Sequence, residues 1–216
     1  MARSTESAPD SIRKPHDRAR TGTRATALPR DERRALIIDA TYDLLLEHGP
    51  GVTTRQIAEA AGVAEGTIFK VFRDKDELLA AVTDKAFDPE PIAARLSEVD
   101  IALPLEKRLE QAVTILQQRV ATIWQFMTAA GISKPPERLR LSRRADTPEL
   151  AALVALFRPD LRLLRFDAEQ SAQLLRALAF ACSHPALYPD KPLPPAAIVE
   201  VLLDGIRNRS KSRKKV

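Results

Sequence analysis

The 216-residue chain predicts an all-α fold, with an N-terminal three-helix helix-turn-helix domain followed by a C-terminal helical bundle, about nine helices in total. Three observations lead there. Apolar residues return every three or four positions along most of the chain, which is the period of a helix face. Aromatic residues are only 5% of the total, so Leu, Ala, Val and Ile must build the core, and these favour helices. Cap residues precede the periodic runs and Gly or Pro follows them, while no run alternates as a strand does.

Taken in order, residues 1–30 are polar and basic, without an apolar period, and read as a flexible arm. From Asp31 the residues Leu36, Ile37, Ala40 and Leu44 mark the buried face of a first helix, which His48-Gly49-Pro50-Gly51 stops. A second helix begins at Thr53 or Thr54, buries Ile57, Ala58 and Ala61, and ends at Gly62. A third covers about 64–72 and buries Ile68 and Phe72. Asp74 with Glu77 three residues on forms an acidic capping box, which opens a fourth helix through Leu78, Leu79, Val82 and Phe87. Asp88-Pro89-Glu90-Pro91 closes it and marks the expected division between a domain at 31–87 and a second at 88–209. Further helices are expected at 92–99, 105–130, 147–157, from 167 to about 184, and 196–208. An irregular Pro- and Arg-rich segment is expected at 134–146, and a basic tail at 210–216.

The charge balance narrows the function classes. Lys and Arg number 34 against 29 Asp and Glu, a formal net charge of +5. The excess lies at the two ends. Arg3, Arg13, Lys14, Arg18, Arg20, Arg24 and Arg30 crowd the arm, and Arg207, Arg209, Lys211, Arg213, Lys214 and Lys215 the tail. Such ends either add phosphate contacts or remain solvated termini. The single cysteine, Cys182, cannot form an intrachain disulfide, which fits a reducing cytoplasm, and its small side chain reads as buried packing before redox chemistry. No apolar run reaches the roughly 18 residues of a membrane span, so no membrane partner is expected. His16, His48 and His184 lack zinc spacing, and no catalytic or nucleotide-binding fingerprint occurs. The chain is therefore read as a non-enzyme with no metal and no cofactor.

One motif carries chemistry. The second and third helices are joined by a very short turn at Ala61-Gly62-Val63, the signature of a helix-turn-helix. Such a turn lets one helix enter the major groove while the other braces on the backbone. Thr53-Thr54-Arg55-Gln56-Ile57-Ala58, Ala61-Gly62-Val63-Ala64, Gly66-Thr67-Ile68-Phe69-Lys70-Val71-Phe72, and Lys75 with Leu78-Leu79 resemble the DNA-binding domain of the TetR family of ligand-responsive regulators. The resemblance covers about residues 33–80. Beyond it, the helices agree with the family only in number, length and order.

The resemblance implies DNA contacts from Thr54, Arg55, Ala64, Glu65, Thr67, Phe69, Lys70 and Lys75. Thr54 and Lys75 take phosphate, and Arg55 takes a phosphate or a guanine edge. Glu65 is unusual on such a face. It either accepts from cytosine N4 or points away from phosphate. Phe69 stands where the family often has Tyr, and Val71 where some members have a polar residue. The resemblance further implies a repressor, a homodimer formed by the last two helices, a palindromic double-stranded operator and a small apolar effector of unknown identity. Leu174, Leu178, Ala181, Val199, Leu202, Leu203 and Ile206 are the expected dimer interface. Leu116, Val120, Trp124, Met127, Phe157 and Phe180 are the expected ligand lining. Dimerisation also has a physical reason, because one helix-turn-helix covers only a half-site and two-fold pairing sets two recognition helices about 34–36 Å apart. The alternative reading is an architectural DNA-binding protein without an effector.

Overall fold

The computed structural model describes residues 29–134, 147–188 and 191–207. Most of the basic arm, His16, residues 135–146 of the segment expected to be irregular, and the tail from 208 lie outside them. The described residues form α1 (Arg30–His48), α2 (Thr54–Ala60), α3 (Glu65–Val71), α4 (Lys75–Ala86), α5 (Glu90–Ser97), α6 (Leu105–Ala129), α7 (Pro148–Phe157), α8 (Ala168–Ala181) and α9 (Pro195–Ile206). Short 3-10 turns follow α1 and α7, at Gly49–Gly51 and Arg158–Leu163. Among the described residues, strand-like pairing is confined to one antiparallel bridge between Leu164 and Arg207. The fold is all-helical, as the sequence predicts.

The caps sit where the side-chain chemistry puts them. Thr53 caps α2, Asp74 caps α4, Thr147 caps α7 with Pro148 at its first position, and Asp167 caps α8. Gly62 and Gly131 adopt φ of 65° and 68° at the ends of α2 and α6, a conformation that glycine enters without strain.

The buried face of α1 differs from the one expected. Ile37, Ile38, Thr41 and Leu45 are buried, while Leu36 is 42% exposed and Ala40 and Leu44 are half-buried. The face is turned by one residue, about 100° of helix rotation. A polar residue disguised it. The Thr41 hydroxyl donates to the Ile37 carbonyl at 2.6 Å, so it enters the core already satisfied.

Apolar side chains gather in two clusters. The first joins α1–α4 through Ile37, Val52, Ile57, Ile68, Phe72, Leu78 and Val82. The second joins α5–α9 through Leu96, Leu109, Val113, Leu153, Phe157, Leu175 and Leu202. Helix α6, 25 residues and about 37 Å long, reaches both. Its first half lies in the second cluster. Phe126, near its end, is buried in the first and stacks on Tyr42 with ring centroids 5.2 Å apart. Arg119, midway, donates to the carbonyls of Ala86 and Asp88 at 2.9 and 2.8 Å, satisfying the open end of α4.

At the opposite end of α6, Arg108 is buried. It donates to the carbonyls of Ile101 and Leu103 and pairs with Asp160, tying the turn before α6 to the turn after α7. Helix α9 runs antiparallel to α6: Arg207 pairs with Glu106, and Gln117 donates to the Leu193 carbonyl at 2.8 Å. No described helix is long and apolar enough to cross a membrane.

Candidate nucleic-acid interface

The candidate site is built on α2, α3 and the start of α4. Ile57 and Ala58 fix α2 to the core, and Ile68 and Val71 fix α3. Gly62 turns the chain between them: its N–H reaches the Glu59 carbonyl and that of Val63 the Ala58 carbonyl. The opposite faces are left outward. Arg55, Ala64, Glu65, Phe69 and Lys70 are exposed, and Thr54, Thr67 and Lys75 are half-buried. Of the eight side chains expected to contact DNA, five are thus exposed and none is buried. Phe69 is 52% exposed, a large apolar ring with no core role. Val71 is buried, so a polar side chain there would not face a nucleic acid.

The cap of α2 settles which threonine does what. Thr53 accepts from the Gln56 N–H, and Gln56 returns a bond to the Thr53 N–H at 2.9 Å, a complete capping box. Thr54 is thereby released from capping. Its hydroxyl donates instead across the turn to Glu65 Oε1 at 2.5 Å. Lys75 Nζ donates to the Val52 carbonyl at 2.6 Å, which brings the first residue of α4 beside the start of α2. Thr54 and Glu65 thus meet across the turn, and Lys75 is held to the chain two residues before Thr54.

The start of α4 departs slightly from the expected capping box. Asp74 Oδ1 accepts from the Glu77 N–H at 2.8 Å, but Glu77 bonds the N–H of Arg73, one residue outside the cap. Arg73, not singled out in the sequence, is a largely exposed cation beside Lys75 that also bonds Asp74 at 2.9 Å. That bond, with the Glu77 N–H second, holds the Asp74 carboxyl below the usual carboxylate range and raises Arg73. Its place directly before the cap of α4 was the available signal.

The expected dimer and ligand residues fall into distinct environments. Val199, Leu202, Leu203 and Ile206 are buried within their own chain, on the side of α9 turned to the second core. Leu174 and Ala181 are exposed and Leu178 is half-buried. Leu116 and Phe157 belong to the second core and Met127 is buried, whereas Val120, Trp124 and Phe180 are half-buried. Trp124 and Phe180 both contact the His184 ring, at 4.7 and 4.8 Å between centroids. A surface groove of about 360 Å³ opens elsewhere, lined by Lys107, Glu110, Gln111, Thr114, Pro194, Pro195 and Ala196. Cys182 is a free, partly buried thiol. Among the described residues no group of three or more His, Cys, Asp or Glu could hold a metal ion.

Residues 37–82 match the family described as bacterial regulatory proteins, tetR family. An HTH-type transcriptional repressor of Mycobacterium tuberculosis is 40% identical over 68 residues, covering 31% of this chain and 36% of that protein. The match thus spans about a third of the length of the curated relatives. A solved structure described as a TetR-family transcriptional regulator from Mesorhizobium loti aligns with a TM-score of 0.59 at 20% identity, covering 84% of this chain and 100% of that one. A transcriptional regulator from Rhodococcus sp. Rha1 aligns with a TM-score of 0.53 at 25% identity, over 82% of this chain and 99% of that one. Residues 37–82 thus match the tetR-family model, and the helical body has the fold of the aligned Mesorhizobium loti structure.

Proposed function

We propose that this chain is a DNA-binding transcriptional regulator, acting as a homodimeric repressor that a small apolar ligand releases from its operator. The observation that carries this reading is the outward face of α2 and α3. It presents Arg55, Phe69 and Lys70 on a unit braced by its own core, beside Thr54 and Lys75. Arg55 and Lys70 have the chemistry for phosphate or base edges, and the Phe69 ring for sugar or a thymine methyl. Residues 31–87 then serve as the DNA-binding unit and 88–209 as the regulatory and dimerisation unit.

The dimer contact is assigned to the outward sides of α8 and α9, where Leu174, Ala177, Ala181 and Val201 are exposed. These replace the inward Val199, Leu202, Leu203 and Ile206 as the side chains available to a second chain. The effector is assigned to the region of Trp124 and Phe180 around His184, between α6 and the end of α8. To act, it must bind the released state better than the DNA-bound state by several kcal/mol.

The test is fluorescence anisotropy of the full chain on a palindromic duplex enriched from a random library, against a scrambled duplex, across a salt series. We expect tighter binding to the enriched duplex by at least about a thousandfold, with a steep salt slope. A ratio near one refutes sequence-specific regulation and favours the effector-independent, architectural alternative.

A further inference from the structure

Glu65 is the only acidic residue in α3, and it lies on the face that the proposed function presents to the major groove. Its carboxylate is not idle. Oε1 accepts the hydroxyl proton of Thr54 at 2.5 Å, joining the start of α2 to the start of α3. A threonine hydroxyl has one proton to give. While that proton is donated to Glu65, it is not available to a DNA phosphate. A phosphate approaching Thr54 also meets the negative charge of Glu65 at close range, which opposes binding.

Donation from Thr54 to phosphate therefore requires its hydroxyl to turn away from Glu65. The freed carboxylate is acceptor-only and now sits at a contact surface, so it needs a new donor. In the major groove, guanine and thymine offer their side of the pair only acceptors and a methyl group. Cytosine offers its N4 amino group, and adenine offers N6 beside the acceptor N7. Cytosine N4 is thus the best match for a carboxylate. Glu65 and Phe69 are four residues apart on one helix face, so both reach toward the same base steps.

We propose that Glu65 is a specificity-determining residue that exchanges partners on binding: the Thr54 hydroxyl passes from Glu65 to a phosphate, and Glu65 accepts from cytosine N4. On a duplex lacking cytosine at that step, the carboxylate is left unpaired beside the backbone, and binding is penalised. Glu65 both reads one base and rejects the others. This rests on the assignment of the face to DNA.

The test is in vitro selection from a random duplex library with the full chain, its E65A and E65Q variants, and T54A, followed by anisotropy on the enriched and random duplexes. Wild type should enrich a cytosine at one position in each half-site, preferred by about tenfold or more. E65A should lose that preference alone and keep the others. E65Q retains an oxygen to accept from Thr54 but not the charge, so it should bind random duplex more tightly than wild type. T54A should bind all duplexes more weakly and keep the cytosine. If E65A selects the same bases with the same weights as wild type, or E65Q gains nothing on random duplex, the exchange is overturned while the DNA-binding assignment stands. If wild type enriches no sequence, that assignment falls and the exchange falls with it. Glu65 is exposed, and circular dichroism melts of both variants matching wild type exclude misfolding as the cause.

Discussion

Truncating Phe126 to alanine tests how the two halves of the molecule are joined. The side chain is 1% exposed, belongs to the body helix α6, and yet is buried in the core of the helix-turn-helix unit. Its ring lies nearly parallel to that of Tyr42 in α1, at an interplanar angle of 7°. Removing a buried phenyl ring costs about 3–5 kcal/mol, the lost transfer energy plus the cavity left behind. Domains of this size are stable by about 5–15 kcal/mol, so the loss is a large share of the total. It falls on α1–α4, because the second core contains no contribution from Phe126. The assay is urea unfolding followed by two probes. Trp124, the single tryptophan, touches His184 and reports the body. Far-ultraviolet circular dichroism reports all the helices. We expect the tryptophan midpoint to move little, while part of the circular dichroism signal melts several kcal/mol earlier and DNA binding is lost. If both probes shift together by less than about 1 kcal/mol, Phe126 is not the link between the cores and the reasoning fails.

Three further outcomes follow from named contacts. Asp160→Ala leaves the buried Arg108 guanidinium without its carboxylate, and should cost about 3–5 kcal/mol in urea unfolding. Adding Arg108→Leu should recover most of the loss, and failure to recover would show that the charge is not the cause. Lys75→Ala should weaken binding equally on all duplexes and lower the salt slope by about one unit, measured by anisotropy. Loss confined to one sequence would assign Lys75 to a base instead. The Asp74 carboxyl is depressed by Arg73 and the Glu77 N–H, so its contribution is present above the ordinary carboxylate range and lost as pH falls through the lower folded value. Asp74→Asn should therefore flatten the decline of Tm below about pH 4, and an unchanged acid limb would refute this.

Local chemistry makes much of this protein legible in its sequence. Thr147-Pro148, Asp167, and Gly62 act within three or four residues of themselves, so their caps and turns could be read directly from spacing. The helix-turn-helix was legible for the same reason, since its turn and its buried Ile57, Ala58 and Ile68 are set by short intervals. Contacts between distant residues were not. The side of α1 that is buried depended on Thr41 satisfying its own hydroxyl, which makes a polar residue behave as core. The apolar period of α9 marked Val199, Leu202, Leu203 and Ile206 correctly as one face, but a period cannot say whether that face meets its own chain or another. Tertiary packing decided that it meets α6. It likewise placed Phe126 in the other half's core, and set the Thr54 hydroxyl on Glu65, eleven residues away. The sequence determined which helices form and where they end, because those energies are local. Only the folded chain decided which faces meet, because that depends on side chains brought together across the whole length.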